Sequence, residues 1–300
     1  MSRKRTLLLV VFTGLVAMAL MTSCGQAELG SEENPIVWAF VPSSEAEEVT
    51  AGAEALATLL EEETGLFFDI LVTTEYAGAV EAMCAEPPEA HVGSLATFSY
   101  VLANERCGVD ASLVAVRFGS PTYNGQIIAG ADTGITEIAD LEGSTFCRPD
   151  PLSTSGWIIP MLTMRANGIN PDTDLTVQDA GGHDAVVASI YNGECDAGAT
   201  YVDARGAIED QYADVMDVVM QVAVTEEIPN DGVQFAPELD EEIRSNIANA
   251  LLTISETEEG QEAMEIAYEW DGLVERSDQF YDPFRQVLQA SGMSIEDLTE

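Results

Sequence analysis

Lysine is all but missing from this 300-residue chain: Lys4 is the only one. It sits with Arg3 and Arg5 at the extreme N-terminus, and beyond residue 23 the chain carries eight arginines, no lysine and all 53 acidic residues. The formal net charge is −42. Nucleic-acid binding is excluded, because neutralising phosphates requires clustered Lys and Arg. A basic patch for anionic lipid is excluded for the same reason. A P-loop is excluded too, since its glycine-rich turn must end in a phosphate-touching Lys. Histidine is nearly as scarce, with only His91 and His183. Without H-E-x-x-H or C-x-x-C the chain offers no zinc pattern, and neither a metal nor another cofactor is expected.

What remains is foldable. Hydrophobic residues make up 46% of the chain, which is not the low-hydrophobicity, high-charge profile of disorder. At this length one large domain or two medium ones can bury a core.

The N-terminus reads as an address. Arg3–Arg5 precede the apolar run Leu7–Met21, then Met21-Thr22-Ser23-Cys24. A basic start, a short apolar stretch and small residues make a secretory signal over residues 1–23. The Cys after Thr-Ser resembles the lipobox of bacterial lipoproteins, with Met21 where Leu is usual; acylation at Cys24 would anchor the chain to a membrane. A transmembrane anchor is the alternative, but the run is shorter than the roughly 20 residues that span a bilayer comfortably. Residues 24–34 are polar and glycine-containing and read as a flexible tether. Outside the cytosol the remaining Cys84, Cys107, Cys147 and Cys195 imply two disulfides, with three pairings open.

Hydrophobic periodicity then predicts strands at 36–41, 67–72 and 90–95, alternating with helices at 45–63, 76–83 and 97–104. A second series follows: strands at 126–131, 145–148, 175–178, 196–201 and 218–224, with helices at 155–167 and 183–192 and a short turn of helix at 138–143. Residues 228–231 read as a turn, and the C-terminal part is helical over 237–254, 260–267 and 282–290. Such alternation argues for α/β lobes with mostly parallel sheets flanked by helices. The expected division is lobe one at 35–122 plus 226–300, lobe two at 123–225. Chain crossings near 121–126 and 222–229 would form a hinge over a cleft.

Site signals cluster in the second lobe. Asp150-Pro-Leu-Ser153-Thr154-Ser155-Gly156 lies between a strand and a helix. Hydroxyls beside free N–H groups at a helix start make an anion site that needs no lysine. Gly181-Gly182-His183-Asp184 puts a histidine at another strand-to-helix turn, and Tyr201 and Asp203 follow a third strand. Tyr76 and Tyr123 are the first-lobe and crossing candidates, each a hydroxyl on a rigid ring.

These segments in this order, with Asn192-Gly-Glu-Cys-Asp-Ala-Gly-Ala-Thr-Tyr-Val-Asp203, Thr74-Glu-Tyr76, Phe98–Ala103 and Glu227-Ile-Pro-Asn-Asp231, resemble the phosphate/phosphite/phosphonate substrate-binding proteins of ABC transporters. The similarity covers residues 35–298. It implies a type II periplasmic-binding-protein fold of two closing lobes, a phosphorus-oxyanion ligand, an ABC permease as partner and a monomer on the extracytoplasmic face. Ser153, Thr154 and Ser155 would hold phosphorus-bound oxygens, His183 would donate to or orient the same group, and Tyr76 and Tyr123 would add hydroxyls. Asp203, with Tyr201 on the same wall, would face the variable part of the ligand. Ala96-Thr97 replaces the Gly-Pro of the family pattern. The resemblance also pairs Cys147 with Cys195 and Cys84 with Cys107.

The rival is a secreted hydrolase built on Ser155, His183 and Asp203. No G-x-S-x-G elbow surrounds either serine, which disfavours it. The same architecture can also hold other small organic solutes.

Overall fold

A computed structural model describes residues 27–299. The expected signal segment and Cys24 lie outside the described residues.

Apolar spacing decides the first helix. Val49, Ala53, Leu56 and Leu60 fall on one buried face of α1 (Ala46–Thr64), which follows β1 (Ile36–Phe40). Gly65 stops it in the left-handed conformation at φ 71°, its N–H returning to Glu61 O. The first lobe continues through β2 (Phe68–Val72), α2 (Tyr76–Cys84), β3 (Val92–Ser94), α3 (Thr97–Cys107) and β4 (Asp110–Val116).

The chain crosses at Ser120–Thr122 into a second lobe of β5 (Thr122–Gly130), β6 (Thr145–Arg148), α4 (Ile159–Ala166), the one-turn α5 (Pro171–Asp174) and β7 (Thr176–Asp179). It runs on through α6 (His183–Tyr191), β8 (Ala197–Tyr201), the one-turn α7 (Val215–Val218) and β9 (Val219–Pro229). After Asn230-Asp231 it returns to the first lobe as β10 (Gly232–Phe235), α8 (Glu241–Ile254), α9 (Glu258–Tyr268), β11 (Gly272–Glu275) and α10 (Asp282–Ser291).

Two sheets result, ordered β11-β4-β10-β3-β1-β2 and β7-β6-β8-β5-β9. Both are mixed rather than mostly parallel. The β1–β2, β1–β3, β6–β7 and β6–β8 pairs are parallel. Strands β4, β10 and β11, which hydropathy leaves unassigned, add antiparallel pairs, and β5 pairs antiparallel with both β8 and β9. The reason is topological: β5 carries the chain out through the second lobe and β9 brings it back beside it. The expected turn at 228–231 is overtaken by this return, because β9 runs to Pro229, opposite Thr122. Pro229 is tolerated there since β9 is an edge strand and its missing N–H interrupts no inner ladder.

The tether also needs correction. Over residues 27–34 the chain is folded back: Asn34 Nδ2 donates to Ala27 O at 2.9 Å, and Phe67 N donates to Gly30 O at 2.9 Å. Leu29 packs on the core and Gly30 is buried against Leu66, where a side chain would clash.

The core holds Trp38, Phe40, Tyr268 and Trp270 in tilted ring contacts, and it continues into the second lobe through Phe146 and Trp157. Truncating a side chain as buried as Trp38 costs about 3–5 kcal/mol. Disulfides join Cys84 to Cys107, tying α2 to α3, and Cys147 to Cys195, tying β6 to the start of β8. Among the described residues no helix is long and apolar enough to cross a membrane.

Candidate ligand site between the lobes

Parallel strands deliver the site. The carboxyl ends of β6, β7 and β8 open into the turns at 149–153, 180–182 and 202–203, and those of β1, β2 and β3 face them from the other lobe. A cavity of about 480 Å³ lies between, lined from both sides.

Ser153 caps the turn after β6: its Oγ accepts from Gly156 N at 3.2 Å. The helix expected from residue 155 begins instead as a wide π turn, Thr154–Ile158. Pro160 explains it, having no N–H to donate and a ring that crowds the preceding turn. Ser153, Thr154 and Ser155 are all buried and line the cavity. Gly156 permits the turn, because a Cβ there would stand 2.3 Å from Pro149 Cδ.

His183 begins α6 from the facing turn, its Nε2 lying 3.4 Å from Ser153 Oγ. Burial first, then the positive charge of Arg117, holds its pKa down to about 3, so the ring is neutral. Its Nδ1 is buried without a hydrogen-bond partner among the described residues. Tyr76 and Tyr123 complete this end, lining the cavity with Ser153 and Ser155. Burial pushes Tyr76 well above the ordinary phenol range and Tyr123 up to about 12, so both keep their protons.

Several hydrogen bonds run directly between the lobes. Tyr76 N, at the start of α2, donates to Asp150 Oδ2 at 3.0 Å; Phe98 N, at the start of α3, donates to Thr154 Oγ1 at 2.9 Å. His183 N donates to Ser43 O at 3.0 Å, and Tyr201 OH to Glu269 Oε2 at 2.9 Å. The lobes are therefore closed on one another. Thr154 divides its work: its hydroxyl oxygen already serves Phe98.

Of the eight expected ligand residues, Tyr76, Tyr123, Ser153, Thr154, Ser155, His183 and Tyr201 line the cavity, and Asp203 does not. This corrects the placement of Asp203. The chain leaves β8 through a left-handed residue there, φ 74°, which turns the side chain out to solvent. A different aspartate takes the wall position. Asp231, at the return crossing, lines the cavity with Oδ1 unpartnered, while Oδ2 accepts from Trp270 Nε1 at 3.2 Å and from Arg117 Nη2 at 3.3 Å.

Arg117 directly follows β4, a strand that hydropathy leaves unassigned, so no sequence signal marks it. Burial opposes its charge, but Asp231, Tyr201, Tyr123 and Glu269 together outweigh that and the guanidinium stays protonated. Its Nε donates to Tyr268 O at 3.0 Å, and the group lies 5.8 Å from the Tyr201 ring centre. Hydroxyls and amides are thus supplemented by one buried cation. The mouth is acidic, with Glu45, Glu48, Asp184, Asp210, Glu265 and Glu269.

A triad on Ser155, His183 and Asp203 has no geometry here. The nearest approach is Ser153 to His183, and no carboxylate orients His183 Nδ1.

The chain is similar to known proteins in sequence and in fold. Residues 38–281 match the family described as the periplasmic substrate-binding protein of phosphonate ABC transporters. The chain is 29% identical over 281 residues to the phosphate-import protein PhnD of Mycolicibacterium smegmatis, covering 86% of each. It superposes on the binding-protein component of a Pseudomonas aeruginosa ABC phosphonate transporter with TM-score 0.78 at 17% identity, covering 86% of this chain and 87% of that one. It superposes on PhnD1 of Prochlorococcus marinus, solved in complex with methylphosphonate, with TM-score 0.76 at 12% identity, covering 86% and 98%.

Proposed function

The chain belongs to the phosphonate family of periplasmic ABC-transporter substrate-binding proteins, and from that membership we propose that it holds its ligand on Ser153, Thr154 and Ser155. It is an extracytoplasmic solute-binding protein that delivers a phosphorus oxyanion to an ABC permease; it is a carrier and not an enzyme.

One observation carries the assignment of residues: three consecutive hydroxyls at a helix start face two tyrosine hydroxyls and a neutral histidine inside a cavity shared by both lobes. Phosphorus-bound oxygens would accept from Ser155 Oγ, the Tyr76 and Tyr123 hydroxyls and the first amides of the π turn, which have no acceptor within their own helix. Asp231 Oδ1, an acceptor without a donor, selects a ligand that brings an O–H or N–H of its own. The favoured cargo is a singly protonated phosphate, phosphite or phosphonate, and Asp231 replaces Asp203 in facing its variable part. Capture proceeds by hinge motion at Ser120–Thr122 and Pro229–Asp231, the two places where the chain changes sheets. Cys24, acylated after removal of residues 1–23, ties the monomer to the membrane.

Calorimetry with phosphate, phosphite, methylphosphonate and 2-aminoethylphosphonate tests the ligand class. At least one should bind, and Ser155→Ala should weaken it about tenfold, as expected for a hydrogen bond to a charged group. Absence of binding to all four, in low and high salt, refutes the proposal.

A further inference from the structure

Across the mouth of the cavity a tyrosine of one lobe reaches a glutamate of the other. Tyr201 ends β8 in the second lobe, and Glu269 follows α9, which packs on α1 in the first. Tyr201 OH donates to Glu269 Oε2 at 2.9 Å, and both residues line the cavity.

The backbone of Glu269 is itself unusual. It adopts φ 53°, ψ 39°, and among the described residues only Phe118 and Asp203 share a positive φ without being glycine. A left-handed residue with a Cβ costs about 1–2 kcal/mol, and this helix-end position is one that glycine would occupy freely. The helix-end backbone bonds of Glu269 N to Glu265 O and of Trp270 N to Met264 O hold this turn, and it aims the side chain at Tyr201.

The tyrosine is held as well. The His183 ring meets it edge-on at 4.9 Å between centres, and Arg117 lies over the ring at 5.8 Å. Burial, then the neighbouring Glu269 charge, pushes its pKa up, so the hydroxyl remains a donor. Donor and acceptor ride on different lobes, so opening the cleft must break the bond.

We infer that Tyr201 and Glu269 form a latch between the lobes, positioning residues that set how long the cleft stays closed over its ligand. The inference rests on the reading of the cleft as the ligand site only in its second test.

The first test needs no ligand. Amide exchange of the full chain is followed at Tyr76, Phe98 and His183, whose N–H groups are bonded across the lobes. Tyr201→Phe, which keeps the ring, and Glu269→Ala, which keeps a Cβ at the left-handed position, should each speed exchange there about tenfold. The double variant should exchange no faster than either single one, because both remove the same bond. Glu269→Gln, which retains an acceptor oxygen, should stay near the native rate. Exchange within twofold of native in Tyr201→Phe or Glu269→Ala, or additive effects in the double variant, overturns the latch.

The second test follows bound methylphosphonate or phosphate by stopped flow. Dissociation should quicken about tenfold in the two bond-breaking variants while association is unchanged; an unchanged dissociation rate overturns the latch. If neither probe binds, the exchange result alone decides the latch, and the calorimetric series of four ligands decides the phosphorus-ligand reading.

Discussion

Acidification from pH 7.5 to pH 5 should cost the native chain about 2 kcal/mol more stability than it costs His183→Gln. The magnitude follows from one buried ring. His183 is 5% exposed, and its pKa falls from 6.5 to about 3, by burial first and the Arg117 charge second. Protonation is therefore favoured in the unfolded chain. The stability tied to neutral His183 is complete above pH 6.5 and is lost progressively as pH falls toward 3. Each unit within that window is worth about 1.4 kcal/mol, which gives about 2 kcal/mol at pH 5 and about 2.7 kcal/mol at pH 4.5. Urea unfolding by tryptophan fluorescence, on native and variant chains at both pH values, measures it as a difference of differences. Titration of the carboxylates and of His91, whose pKa burial also lowers, is common to both proteins and cancels. If native and variant lose the same stability on acidification, His183 is not buried as a neutral ring and the electrostatic account of the site is wrong.

Gly156→Ala should lower stability by about 1–3 kcal/mol and weaken ligand binding, since its Cβ would meet Pro149 and Ser153 Oγ, the latter at 2.8 Å; calorimetric melting compares it with Gly206→Ala, which meets nothing within 4 Å and should be neutral. Reducing the disulfides, which close segments of 23 and 48 residues, should cost about 3 and 4 kcal/mol by loop entropy, seen as a lower melting temperature in reductant. At a net charge of −42, added salt should raise both folded stability and ligand on-rate by screening self-repulsion and the field that opposes anion approach. A flat salt response would remove net charge as a factor in either.

Local signals transferred well where a single segment contains both cause and effect. The α1 stripe and its glycine stop, the Ser153 cap and the start of α6 at His183 are each decided within a few residues. Strands β4, β10 and β11 were illegible for the opposite reason. β10 and β11 have four residues each, Asp110 and Ser112 interrupt the apolar pattern of β4, and only pairing with strands far along the chain makes each a strand. The helix expected from residue 155 had the right place and the wrong first turn, because the effect of Pro160 falls on residues before it.

By itself the sequence determined which partners are excluded, since charge composition does not depend on folding. It also determined where hydroxyls meet helix starts, because capping is a matter of neighbours. The family resemblance, read from the same residues, named the ligand class. Only the tertiary structure decided which charges stand in the cleft. Arg117 directly follows β4, Asp231 stands at the return crossing and Glu269 at the end of α9; Asp231 ends one of the segments that carry the resemblance, but no local pattern assigns any of the three to the cleft. A hydroxyl at a helix end finds its partners within one turn of chain. A buried charge finds its partner far along the chain, as Arg117 finds Asp231, so its position depends on which strand ends the fold brings together. That is why Asp203, well placed along the sequence, faces solvent, and Asp231, 28 residues later, faces the cavity between the lobes.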